Sequence, residues 1–400
     1  MTPIVHRTQF YHYYAMLLIL VLLLAGCAVA QPTSAGSAEA AHSEEGHSEE
    51  GHSEEGHSEE GHSEEGHSEE GHSEEGHSEE GHSEEGHSEE GHSEEGHSEV
   101  DSLPTLTAVT LAAGEKLHVV ATTNLVADVV AQIGGERIAL HTLMGPGVDP
   151  HSYSTTPQDL RTLEEAQVVF INGLHLEEAL TDLLAGLAAP VVPVSAGITP
   201  RVMGEEQGGD QSEQSAEGEE HHHEGGDPHT WQRVANVKHW VENIHTSLSQ
   251  LDPANAEAYH AAAEAYLAEL DTLDAEIRAQ IESIPAENRK LVTDHETFGY
   301  FADEYGFTLV GALISSLSTA AEPSAQELAA LQDQVVAEGV KAIFVGTTVN
   351  PRLAEQLAQD LDIQVVSLYS DSLSAPDGPA ATYLAFMRYN VNAIVTALQP

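Results

Sequence analysis

Residues 254–284 read ANAEAYHAAAEAYLAELDTLDAEIRAQIESI, and this stretch decides the architecture. It is rich in Ala, Glu and Leu and contains neither Gly nor Pro. At 1.5 Å per residue it predicts a helix of about 45 Å. Tyr259, Ala263, Tyr266, Leu267, Leu270, Leu273 and Ile277 recur at intervals of three and four, which gives one apolar stripe. Asp252-Pro253 opens the stretch and Pro285 ends it.

Strands and helices alternate on both sides of this helix. Before it, strand patterns at 116–121, 137–143, 168–172 and 191–194 enclose helical stretches at 124–133, 156–165 and 176–187, and a helix at 236–251 follows. After it, strands at 290–293, 308–312, 342–345 and 364–367 alternate with helices at 296–305, 324–338, 351–361 and 379–398. Such alternation predicts mostly parallel sheets covered by helices. The expected fold is therefore α/β, with two lobes at 115–250 and 286–400 joined by one long rigid helix at 251–285. A cleft between lobes is where a ligand would bind.

The charge is unevenly spread. The chain has 400 residues, 13 Lys+Arg against 67 Asp+Glu, and a net charge of -54. Nucleic acid is excluded as a partner, because phosphate binding needs a basic face. One cysteine rules out a disulfide framework and a cysteine zinc cluster.

The first residues explain that cysteine. His6 and Arg7 precede an apolar run from Ala15 to Ala25, too short to span a bilayer but suited to the core of a secretory signal. Leu24-Ala25-Gly26-Cys27 resembles a bacterial lipobox, which makes residues 1–26 a lipoprotein signal peptide and Cys27 the site of lipid attachment. Buried acyl chains would tether the protein to the extracytoplasmic side of the cell membrane.

From His42 to Gly96 the pentad His-Ser-Glu-Glu-Gly occurs eleven times, and His97-Ser98-Glu99 closes the series. The repeat has no large apolar residue to offset chain entropy, and Gly in each pentad opposes helix. Residues 27–114 are expected to be a disordered tether. Imidazole and carboxylate both coordinate Zn²⁺, so the tether offers many weak, exchangeable sites. A second polar stretch at 204–226 holds eight acids and the run His221-His222-His223, a weak auxiliary metal site.

Four points in the folded body carry the chemistry. Asp149-Pro150-His151 lies between a strand and a helix, and Asp227-Pro228-His229-Thr230-Trp231 follows the polar loop. In each, Pro fixes the approach and Asp can orient the imidazole through its second nitrogen. Asp294-His295-Glu296 and Asp371 lie past the carboxyl ends of second-lobe strands, where α/β sheets place ligands. His118, His141, His175, His239, His245 and His260 read as ordinary surface or core residues.

These motifs resemble the metal-binding lipoproteins of bacterial ABC importers, the zinc- and manganese-type substrate-binding proteins. The resemblance spans roughly 115–400. It rests on DPHSYSTTPQDL from Asp149, NGLHLEEAL from Asn172, DPHTW from Asp227 and DHETFGYFADEYGF from Asp294. AEPSAQEL from Ala321, YSDSL from Tyr369 and GPAATYLAFMRYNV from Gly378 complete it. The resemblance implies metal ligands at His151, His229, His295 and Asp371, two from each lobe. It also implies a His-rich acidic loop before the second ligand in zinc-type members, which 204–226 looks like. Where the family often continues Leu-Asp-Pro after Asp-Pro-His-Thr-Trp, this chain has Gln232-Arg233-Val234.

Three imidazoles and one carboxylate suit Zn²⁺. Manganese-type relatives more often place Glu at the position of His295. The expected function is capture of Zn²⁺ and delivery to a membrane ABC permease. The ATPase would be a separate protein, since no G-x-x-x-x-G-K-[ST] loop is present. A monomer without enzymatic activity is expected. The alternatives are Mn²⁺ as cargo, a secreted zinc hydrolase using Glu296, and a structural lipoprotein whose tail is the active part. Against the hydrolase, position 299 is Gly, so there is no H-E-x-x-H motif.

Overall fold

The computed structural model describes residues 102–202, 226–315, 319 and 321–399. The signal segment, Cys27, the pentad tract and His221–His223 lie outside the described residues.

The first lobe is a parallel sheet of β1 (Leu117–Thr123), β2 (Ile138–Met144), β3 (Val168–Ile171) and β4 (Val191–Pro193), in spatial order β2-β1-β3-β4. Helices α1 (Asn124–Gly134), α2 (Pro157–Glu164) and α3 (Thr181–Ala185) connect its strands. Helices α4 (Val234–Leu251) and α5 (Ala256–Ile281) follow as a helical hairpin. The second lobe repeats the plan with β5 (Lys290–His295), β6 (Thr308–Ile314), β7 (Ala342–Gly346) and β8 (Gln364–Leu368), in order β6-β5-β7-β8. Its helices are α6 (Gly299–Tyr305), α7 (Ala325–Glu338), α8 (Arg352–Leu361) and the closing α9 (Tyr383–Leu398). No helix among the described residues is long and apolar enough to cross a membrane.

The long helix forms where its stripe predicts. Tyr259, Ala263, Tyr266, Leu270, Leu273 and Ile277 are buried, and Leu267 packs half-buried beside them. It is shorter than expected, 26 residues or about 39 Å. Pro253–Asn255 form a separate 3-10 turn ahead of it, where the Asp252 carboxylate accepts from Asn255 and from the Tyr259 hydroxyl.

The hydrophobic core does not divide with the lobes. One cluster runs from Leu117, Phe170 and Trp240 through Tyr259, Leu270 and Ile277 to Leu291, Phe344, Tyr383 and Phe386. Each sheet has a smaller core on its other face, around Val120, Leu163 and Val169 in the first lobe and Val292, Leu313 and Ile343 in the second. Both sheets are thus apolar on both sides, as all-parallel sheets are.

Three local expectations need correction. The tether was expected to reach 114, yet Leu103, Leu106, Val109 and Leu111 pack against the shared core. Val109 N–H donates to Leu251 O (2.8 Å) and Leu106 N–H to the Gln250 side chain (3.1 Å), so this stretch is a strap on the end of α4. The helix expected at 176–187 is a 3-10 turn at Glu178–Leu180 and the short α3, because Gly173, Leu174 and His175 all take positive φ and reverse the chain first. Strand β5 continues to His295, and α6 starts only at Gly299.

Candidate metal centre

The site forms at the carboxyl ends of the two sheets, where strand order reverses. His295 is the last residue of β5, and Asp371 follows β8. His151 sits in the 3-10 turn Pro150–Ser152 after β2, and His229 immediately precedes the turn Thr230–Gln232.

These four side chains converge. One ligand atom from each of His151, His229, His295 and Asp371 lies within 4.8 Å of all the others, the only such group among the described residues. His151 Nε2 is 3.1 Å from His229 Nε2, His295 Nε2 is 3.4 Å from Asp371 Oδ1, and His229 Nε2 is 3.9 Å from Asp371 Oδ1. Ligands about 2.0 Å from a tetrahedral ion stand about 3.3 Å apart. The observed separations bracket that edge. His295 Nε2 and Asp371 Oδ1 are buried without a hydrogen-bond partner, a costly state for polar atoms that an ion would relieve.

The surroundings aim the ligands. Asp227 Oδ1 takes both the backbone N–H of His229 and its ring Nδ1 (2.9 and 2.8 Å), so Nε2 faces the cluster. Asp294 Oδ1 lies 3.2 Å from His295 Nδ1, and its Oδ2 accepts Gly346 N–H. Asp371 Oδ2 accepts Ser370 Oγ–H (2.5 Å) and Thr348 Oγ1–H (3.1 Å), while Oδ1 is left without a donor. The Asp149–His151 copy behaves differently from the expectation. Asp149 Oδ1 accepts the His151 backbone N–H, and its Oδ2 accepts Ser152 and Thr319 hydroxyls; no bond reaches the ring.

Charge follows burial. Burial first, then the neighbouring His229, depresses His151 to about 4, against the pull of Asp371, so its ring is neutral near pH 7. Burial also disfavours charge on His295, but Asp371 and Asp294 outweigh it and raise that imidazole well above its ordinary value. Asp371 is held far below the usual carboxylate range: burial opposes this, and His295, His151 and His229 overcome it.

Sequence reasoning missed several supporting residues. Glu177 is buried and accepts Thr122 Oγ1–H, Asn172 N–H and Gly173 N–H. That turn lets the Asn172 amide donate to Pro228 O, which holds the His229 loop. Tyr300 OH donates to Asp227 O from the other lobe. Gln232, where the chain departs from the related pattern, joins Trp231 Nε1 in donating to Ser370 O, beside Asp371. The Arg201 guanidinium pairs with Asp303 and lies 3.9 Å from Asp227 Oδ2.

With a cluster of three histidines and one aspartate on two α/β lobes in view, the chain can be set beside known proteins. The sequence pattern described as ZnuA, zinc-uptake complex component A, periplasmic, matches residues 119–397. The chain belongs to the ZnuA family of solute-binding proteins. Among curated proteins it is 33% identical over 293 residues to the zinc-binding protein TroA of Treponema pallidum, covering 72% of this chain and 90% of that one. It is also 33% identical over 287 residues to the manganese-binding lipoprotein MntA of Halalkalibacterium halodurans, covering 71% and 89%. The solved structure of the periplasmic zinc-binding protein TroA superposes with a TM-score of 0.62 at 32% identity, over 71% of this chain and all of that one. The Mn-bound periplasmic metal-binding protein of Candidatus Liberibacter asiaticus gives 0.61 at 28%, with the same coverage. The ZnuA family therefore unites members named for zinc and for manganese, and they are binding proteins rather than enzymes.

Proposed function

We propose that this metal-binding component of an ABC metal importer captures Zn²⁺ through His151, His229, His295 and Asp371 and delivers it to a membrane permease driven by a separate ATPase. The observation that carries the metal choice is the state of Asp371. Its Oδ2 already accepts two hydroxyl donors, so only Oδ1 is free to bind. Three nitrogens and one carboxylate oxygen at tetrahedral spacing favour Zn²⁺, whereas Mn²⁺ favours more oxygen ligands. Four protein ligands leave no open position for a reacting water, which removes the basis for hydrolysis through Glu296.

Capture uses this chain's own groups. His151 is half-buried while the other three ligands are buried, so the ion enters on the His151 side. A cleft of about 560 Å³ opens there, lined among others by Asp149, Ser152, Thr319 and Thr348. Neutral His151 offers its lone pair at once. His295 must first lose its Nε2 proton, while Asp294 keeps the ring oriented. Cys27 carries lipid and holds the protein outside the membrane as a monomer. The histidines of 42–97 and His221–His223 bind metal weakly and hold it near the folded body.

The test is a competition titration of Zn²⁺ against Mn²⁺. Wild type should prefer Zn²⁺, and His295→Glu should shift the ratio of affinities toward Mn²⁺ by at least about tenfold, since it replaces a nitrogen ligand by oxygen. An unshifted ratio, or Mn²⁺ preferred by wild type, would overturn the zinc reading.

A further inference from the structure

Two histidines that sequence reading treated as ordinary come together on the outer face of the helical hairpin. His245 on α4 and His260 on α5 have ring centroids 5.3 Å apart, tilted by 40°. In the buried cluster the corresponding separations are 5.2, 5.3 and 5.7 Å. Two imidazoles bound to one tetrahedral ion, with Zn–N near 2.0 Å, place their centroids about 5 Å apart. The two rings of the hairpin thus already stand at the centroid spacing of a chelating pair, although their nitrogens and Glu264 are not gathered as closely as the buried four.

A third ligand is at hand. Glu264 lies one turn beyond His260 on α5, its Oε1 3.5 Å from His260 Nε2. Both side chains are more than half exposed, at 58% and 69%, so Glu264 can swing toward a shared ion without disturbing the core. Glu242, one turn before His245 on α4, adds negative charge beside the pair. Burial and His260 both disfavour a proton on His245, which keeps that nitrogen free as a ligand.

The place in the fold adds a second argument. The strap joins the body where Leu106 N–H meets Gln250 and Val109 N–H meets Leu251, in the last turn of α4. His245 is five residues before Gln250, about 7.5 Å along the helix. The hairpin pair thus lies close along α4 to where the strap docks.

We infer that His245, His260 and Glu264 form a second, exchangeable site for a borderline divalent cation such as Zn²⁺, on the surface of the α4–α5 hairpin. It is weaker than the buried cluster, because its third ligand must move in and water completes the coordination. Cu²⁺ and Ni²⁺ fit the same donor set in vitro. A bound ion would cross-link the two helices near where the strap docks on α4.

Diethyl pyrocarbonate labelling of the full-length protein, mapped by mass spectrometry across a buffered free-Zn²⁺ titration, reads each ring separately. His245 and His260 should become protected together, with one midpoint, above the Zn²⁺ level that fills the buried cluster. His260→Ala should raise the midpoint at His245 by at least about tenfold, as loss of a ligand requires. Glu264→Gln should raise it a few-fold. Alanine favours helix at the exposed position 260, so α5 is retained. Both variants should still hold one tightly bound ion per chain. Separate midpoints for the two rings, or unchanged protection of His245 in His260→Ala, would overturn the site.

Discussion

The tripeptide Asp-Pro-His occurs at 149–151 and again at 227–229, and the fold uses the two copies differently. At the second copy, Asp227 bonds the ring of His229, and the loop is fixed from both lobes by Asn172 and Tyr300. At the first, Asp149 bonds only backbone and hydroxyl groups, and the His151 ring is half-buried with its Nε2 toward His229. A shared motif therefore brings a histidine to the cluster twice, but its own aspartate orients the ring only once. Orientation comes from where each loop docks.

The strongest way to break this contrast is to remove the rings. His229→Ala should lower Zn²⁺ affinity more than about 100-fold, beyond the 10–100-fold range typical of supporting partners. It strands buried Asp227 and opens a hole in a packed site. His151→Ala should cost less, because solvent can supply a replacement ligand on that side. Equal losses in competition titrations would refute the contrast.

Next come the carboxylates. Asp227→Asn should weaken Zn²⁺ about 10–100-fold, through loss of ring orientation and basicity. Asp149→Asn should change affinity by less than about tenfold, since no ring depends on it. A loss at Asp149 as large as at Asp227 would show that the first copy orients its ring as well.

Proton release sharpens the comparison further. His151 titrates near 4 and brings no proton to neutral pH, whereas His295 has a raised value and does. Ion binding near pH 7 should therefore release about one proton from His295, and affinity should climb with pH up to its raised pKa. Calorimetry in buffers of different ionisation enthalpy measures this; zero net release would contradict it. The same sign applies to the metal-free protein. A raised His295 stabilises the fold fully below the unfolded value, about 6.5, and this contribution is lost as pH rises through the folded value.

The smallest effect is expected at Gly299. A Cβ there would stand 2.7 Å from both Arg201 Nη1 and Asp227 Oδ2. Gly299→Ala should push Arg201 aside and nudge the Asp227 carboxylate without removing its bond to His229, lowering affinity less than Asp227→Asn and leaving His151 untouched. Isothermal titration alongside Asp227→Asn would place the two on one scale.

Much of this was legible in the sequence because the signals are local. The apolar stripe of residues 254–284 and the alternation around it reported the two lobes, and histidines after strand ends marked the cluster. What stayed hidden depends on distant partners. The strand was expected to end at 293, yet Asp294 Oδ2 accepts Gly346 N–H from the neighbouring strand and β5 runs on to His295. Leu103 to Leu111 looked like tether because their apolar partners lie on helices far along the chain. His245 and His260 are 15 residues apart, and only the turn at Asp252 brings their rings together.

The core that runs unbroken from Leu117 to Leu398 bears on how a loaded molecule is told from an empty one. Prying the lobes apart would expose Tyr259, Tyr383 and Phe386 to water, at about 25 cal/mol for each Å². A wide jaw-like opening is too costly to serve as the signal. If the ion is held as proposed, its effect would fall instead on the short Asp149–His151 turn at the rim, on an almost unchanged shape.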